Sequence, residues 1–147
     1  MKATYLPPGL PAPAPSGDGL DEPFWSGLRE ECLRLQFCEA CSRYQWGPEW
    51  ICHRCCAFDL SFRPVEAVGR IYSYERVWHP VHRALADFGP YIVVLVELPH
   101  ADGARLVGNL LGDARQSVII GQTVHGVFEH HHDAEPAYTL LQWSAAP

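Results

Sequence analysis

With 147 residues, 48% of them hydrophobic, the chain can form one ordinary domain or two small modules and can build a core without cross-links. Its formal charge of −6 argues against a general nucleic-acid binder, which needs many cations to displace phosphate counterions; Lys2 is the only lysine. No apolar run approaches the ~18 residues of a membrane span, and the first twenty residues lack the basic start and apolar middle of an export signal. A soluble, cytoplasmic protein with reduced cysteines is expected.

In chain order, residues 1–20 hold five prolines (Pro7, Pro8, Pro11, Pro13, Pro15) and three glycines, which reads as an extended or disordered tail. Residues 21–36 have helical spacing: Asp21 can cap, Pro23 fits the first turn, and Phe24, Leu28, Cys32 and Leu35 recur at three- and four-residue steps. Trp25 and Leu33 widen the apolar face, while Gly27 interrupts it. So short a helix is marginal alone and must dock on something.

From 65 to 147 the pattern turns to strands. Ile71–Trp78 alternates, with Tyr72, Tyr74, Arg76 and Trp78 expected on one face. Tyr91–Leu98 is nearly all apolar, as a strand buried on both faces would be. Leu106–Leu111, Thr123–His130 and Ala137–Trp143 complete the set, with a short helical possibility near Ala114–Ile119. Five strands in about eighty residues fit a small closed sheet such as the OB-fold barrel, so the fold class is mainly β.

Between helix and barrel, residues 37–64 carry Cys38-x2-Cys41-x10-Cys52-x2-Cys55. Each Cys-x-x-Cys turn offers two thiolates to one ion, and a hairpin between them completes a tetrahedron. A segment this short rarely folds by apolar burial alone, whereas a structural zinc supplies ~10–16 kcal/mol in finger peptides. With all four positions filled by sulfur, the site is expected to be structural, with one Zn2+. Iron fits the same cage, but an electron carrier is expected to stand alone rather than between a helix and a barrel. Cys56 competes with Cys55 on spacing, and the two-residue gap favours Cys55. His53 is expected to point outward, and Cys32 to be a small buried apolar residue. Arg34, Arg43 and Arg54 lie close enough in sequence to offset the excess negative charge of four thiolates.

Taken together, Phe24-Trp25-Ser26-Gly27-Leu28, Leu33-Arg34-Leu35-Gln36-Phe37-Cys38 with the two knuckles, Val68-Gly69-Arg70-Ile71-Tyr72-Ser73-Tyr74, Pro90–Leu98 and Ile120-Gly121-Gln122-Thr123-Val124 resemble the OB-fold proteins with a rubredoxin-like zinc ribbon, the domain of unknown function thirty-five family. The likeness runs from about Pro23 to the C-terminus. It departs where Ser42 and Cys56 replace a glycine after each knuckle, where Gly47-Pro48-Glu49 replaces Pro-Pro-Arg, and where His53 replaces a proline. The resemblance implies a non-catalytic accessory subunit that binds a thiolase-like enzyme and helps form its acyl-CoA site. The ribbon and helix would dock the partner, and a coenzyme A thioester would lie near the barrel. The partner would be a thiolase, a hydroxymethylglutaryl-CoA synthase or a retro-aldolase acting on steroid-type side chains. No membrane is implied.

For that surface the candidates are Trp25 on the helix, Tyr72, Tyr74, Arg76 and Trp78 on the first barrel strand, and His79 and His82 in the long connection after it. Arg83 and Arg105 are candidates for phosphate contacts on their chemistry. His130-His131-His132 cannot all converge on one ion, because successive strand side chains alternate in direction. The alternative reading is a ribbon-plus-barrel module that binds single-stranded nucleic acid by aromatic stacking, against which the charge and the lack of lysine weigh.

Overall fold

The structure is a computed structural model and describes residues 4–145. Its elements are α1 (Glu22–Arg29), β1 (Arg34–Cys38), β2 (Arg43–Gln45), β3 (Leu60–Pro64), β4 (Val68–Val77), β5 (Tyr91–Leu98), β6 (Ala104–Asn109), β7 (Thr123–His131) and β8 (Tyr138–Ala145). They form a three-stranded antiparallel sheet, ordered β2-β1-β3, and a five-stranded sheet, ordered β6-β5-β4-β7-β8.

The helix expected over 21–36 stops at Arg29. Glu31 takes a left-handed φ of 56°, and the Cys32 N–H donates back to the Gly27 carbonyl at 2.9 Å. Gly27 is needed for space: a Cβ there would lie 2.5 Å from the Cys32 carbonyl oxygen. This reversal turns 34–38 into strand β1 and buries Leu33 and Leu35 beside Phe24 and Leu28.

All five barrel strands form. The sheet closes where Leu110 bridges Trp143 and the Leu111 N–H donates to the Trp143 carbonyl at 2.7 Å. Gly108 permits this closure, since a Cβ there would meet the Leu141 carbonyl oxygen at 2.6 Å. The helical possibility at 114–119 is not realised; that stretch is an irregular connection, held by the Arg76 guanidinium donating to the Ala114 and Gln116 carbonyls. β5 is buried on one face only. Ile92, Val94, Val96 and Leu98 are fully buried, while the alternate residues are half-exposed.

β4 departs from its expected single face. A bulge between Ile71 and Ser73 shifts its register on β5, so Ile71 opposes Val96, but Tyr74 and Arg76 oppose the buried Val94 and Ile92. The extra residue inverts the alternation that follows it. Tyr72 is thereby separated from Tyr74, Arg76 and Trp78.

One apolar core runs through the molecule: Phe24, Leu28, Leu33 and Leu35 cluster with Ile71, Ile92, Val94, Val96, Leu141 and Trp143. The small sheet is further fastened by Asp102, at a left-handed φ of 53° before β6, which accepts from the Tyr44 N–H at 2.8 Å and pairs with Arg43. These contacts hold the Asp102 carboxyl below its ordinary range, the Tyr44 amide first and the Arg43 guanidinium next. The N-terminal segment touches both units: the Tyr5 N–H donates to Glu129 Oε2 at 2.9 Å, and the Trp50 indole donates to Asp18 at 3.2 Å.

Candidate metal centre

Cys38 is the last residue of β1, and Cys41 follows in the turn to β2; Cys52 and Cys55 sit in the second turn, between β2 and β3. The four sulfurs lie within 4.8 Å of one another. Cys38 Sγ is 3.6 Å from Cys55 Sγ, and Cys41 Sγ is 3.7 Å from Cys52 Sγ. A tetrahedron with metal–sulfur bonds of ~2.3 Å has edges of about 3.8 Å, so the donor set fits a zinc-sized ion. These separations far exceed the ~2.05 Å of a disulfide. Cys38 and Cys52 are buried, Cys41 half-buried and Cys55 exposed.

The second turn is wrapped around Cys52. Its N–H donates to the Ala57 carbonyl at 2.9 Å, its carbonyl accepts from Cys56 at 3.1 Å, and its sulfur accepts from the Arg54 N–H at 3.4 Å. The Cys55 and Arg54 backbone N–H groups lower the Cys52 thiol to about 6. Burial and neighbouring sulfurs push Cys41 up to about 12. Four sulfurs so close cannot all ionise unaided; a divalent cation held between them would supply the charge that lets them.

Two buried glutamines behind this turn carry no sequence motif. Gln36 Nε2 donates to the Glu49 carbonyl at 2.9 Å, and its Oε1 accepts from the Glu49 N–H at 2.9 Å and from Gln45 Nε2 at 2.6 Å. Gln45 Oε1 accepts from the His53 N–H at 2.9 Å. The pair satisfies the backbone of 49–53 and sets where Cys52 and Cys55 stand. Nothing in the local sequence marks them, since β1 (Arg34–Cys38) and β2 (Arg43–Gln45) carry other polar residues as well.

The other cysteines lie outside the cluster. Cys56 is exposed and Cys32 only half-buried. His53 is exposed. Of the three nearby arginines, Arg34 pairs with Glu30 and Arg43 with Asp102, while Arg54 approaches through its backbone.

The surface candidates separate into groups. Arg105 stacks 3.6 Å above the Tyr72 ring and pairs with Glu97 at 2.9 Å, on the outer face. Arg105 also joins Trp25, Phe24, Trp46, Val107 and Leu140 around a mainly apolar groove of about 390 Å3. Arg76 and Arg115 flank the Trp78 ring at 5.8 and 5.5 Å. His79, His82 and Arg83 are exposed in the β4–β5 connection, where His82 caps the short turn Arg83–Leu85. Sequence reasoning missed the exposed apolar tip beside the sulfurs, formed by Trp50, Ile51 and Phe58.

Comparison with known proteins gives a consistent result. A family model described as the C-terminal OB-fold domain of ChsH2 matches residues 62–129. A chain of the solved Ltp2–ChsH2(DUF35) aldolase is 32% identical, with a TM-score of 0.76 and coverage of 92% of this chain and 100% of that one. The chain belongs to the DUF35 family. A DUF35 domain-containing scaffold protein of Methanocaldococcus jannaschii is 29% identical over 110 residues, 71% of this chain and 73% of the relative. A probable enoyl-CoA hydratase alpha subunit of Thermomonospora curvata is 37% identical over 105 residues; the match covers 71% of this chain but only 32% of that relative's length. A DUF35 protein of unknown function from Sulfolobus solfataricus shares the fold at 17% identity, with a TM-score of 0.59 over 85% of this chain and 84% of that one.

Against the DUF35 pattern, the two replaced glycines keep glycine-like backbone: Ser42 and Cys56 have φ of 55° and 59°. The knuckles therefore retain their path at the cost of left-handed strain, about 1 kcal/mol per position. Among the described residues of this DUF35 chain, no helix is long and apolar enough to cross a membrane.

Proposed function

We propose that this chain is a zinc-bearing, non-catalytic accessory subunit of a thiolase-superfamily acyl-CoA enzyme, a thiolase or a retro-aldolase of the steroid-side-chain type. The observation that carries this reading is the likeness, across the whole of the matched chain, to part of an aldolase assembled from Ltp2 and ChsH2(DUF35). Four cysteines around one Zn2+ leave no open coordination position for substrate, which supports a structural role for the ion.

The docking surface is the apolar tip beside the metal, with Trp50 61% and Phe58 78% exposed, together with α1. Large apolar groups held in water by a rigid turn are characteristic of a buried interface core. Arg105, which lines the groove beside α1, and Tyr72, on which Arg105 stacks, are the barrel residues that would face a coenzyme A thioester. The complex would work in the cytoplasm, where the thiols stay reduced.

Co-expression with a thiolase-like protein encoded beside this chain tests the reading. A stable hetero-complex is expected, with acyl-CoA activity that requires both chains and weakens when Phe58→Asp is introduced. A chain that runs alone and changes neither the solubility nor the activity of that protein contradicts it.

A further inference from the structure

The small sheet and the barrel meet along a cleft of about 300 Å3, bounded on one side by β2 and the second cysteine turn and on the other by the start of β6. Three arginines line it, Arg43 from β2, Arg54 from the turn and Arg105 from β6, with His53 beside them. Asp102 is the one carboxylate among the lining residues. Cys52 also borders the cleft, with its sulfur drawn into the four-cysteine group. On a chain with a formal charge of −6, this is a local concentration of cations. The carboxylates nearby do not use those cations up. Arg43 gives Asp102 only its Nη1–H, and Arg105 gives Glu97 only its Nε–H, at 2.9 Å. Each guanidinium keeps further N–H donors at its Nη atoms. Arg54 makes no ion pair among the described residues.

We propose that the cleft between the cysteine-bearing sheet and the barrel binds the diphosphate of a nucleotide. Guanidinium forks match phosphate oxygens, and charges of one sign set between protein walls concentrate their field on a bound anion. The volume is that of a small-ligand site rather than of a lone phosphate ion. The cleft shares Arg105 and Trp46 with the apolar groove beside α1, so an arm leaving the diphosphate has an apolar track to follow. A diphosphate is common to a free nucleoside diphosphate and to coenzyme A. Only the second source rests on the acyl-CoA reading above.

The test is calorimetric titration of the zinc-loaded full chain with ADP and, separately, with acetyl-coenzyme A, at low and at raised salt. ADP is expected to bind, to weaken as salt rises, and to lose about tenfold or more in affinity in Arg54→Gln and in Arg105→Gln. Arg54 is chosen in the turn because its backbone N–H to Cys52 survives the change, whereas Arg43 also holds Asp102. Arg83→Gln, in the β4–β5 connection, should leave binding unchanged. Thermal midpoints separate lost binding from lost fold, and variants on two different elements keep the test valid if one misfolds. Acetyl-coenzyme A that binds as tightly as ADP and fails in the same variants assigns the diphosphate to coenzyme A. Binding of ADP alone keeps the cleft, assigns it to a free nucleotide and counts against the acyl-CoA reading. No binding of either probe, binding indifferent to both variants, or loss confined to Arg83→Gln would overturn the proposal while leaving the docking reading standing. A tetraglutamate peptide that binds more tightly than ADP and fails in the same variants would also overturn it, giving the cleft to the carboxylates of a protein partner.

Discussion

At Ser42 and Cys56 a side chain occupies backbone that favours glycine, and each position stores strain the DUF35 pattern avoids. Ser42→Gly is expected to stabilise the chain by about 0.5–1 kcal/mol, a rise of a few degrees in thermal midpoint measurable by calorimetry. The clustering of the four cysteines was legible because their spacing is local and their chemistry is specific. Gln36 and Gln45 were not, because their partners at 49–53 are fixed only once β1 and β2 pair. Gln36→Ala should leave the Glu49 amide and carbonyl without their partner and weaken zinc binding about tenfold or more, read by competition with a chromogenic chelator. Asp102 gives a pH signature. Its folded carboxyl is lower than in the unfolded chain, so its stabilisation is present above the ordinary carboxylate range and is lost as pH falls through the folded value. Asp102→Asn should cost about 1 kcal/mol at neutral pH and flatten that acid limb in denaturant melts.

Among the elements, strands with strict alternation could be placed to within a few residues, because burial on one face imposes a period of two. Two elements escaped that logic. The bulge at 71–73 in β4 inverts the alternation, and nothing in Ile71-Tyr72-Ser73 marks it. Helical spacing likewise continued past Arg29, although the chain reverses at Glu31 to pair β1 with β2 and β3. Gly27, which read as a weak point in a helix, is the position that makes the reversal fit. Gly27→Ala should therefore destabilise α1 despite alanine's better helix propensity, whereas a free helix would gain about 1 kcal/mol. Proteolysis at 29–33 and far-ultraviolet circular dichroism would read the difference.

For the molecule as a whole, α1, the cysteine-bearing sheet and the barrel share one core, and the connection that carries Cys52 and Cys55 leaves Trp50, Ile51 and Phe58 exposed. Length and the order of segments made that architecture legible, but the exposed apolar tip was not, since Trp50, Ile51 and Phe58 reveal their exposure only once the second turn is folded. The most direct test of the account is native mass spectrometry of the chain co-expressed with a thiolase-like protein, the proposed partner class, after passage over a chelating resin to strip weakly held ions. The account predicts a hetero-complex with one zinc retained per DUF35 chain, and neither zinc nor complex when Cys38→Ser is introduced. A complex that forms without metal, or a metal-bearing chain that never associates, would contradict it.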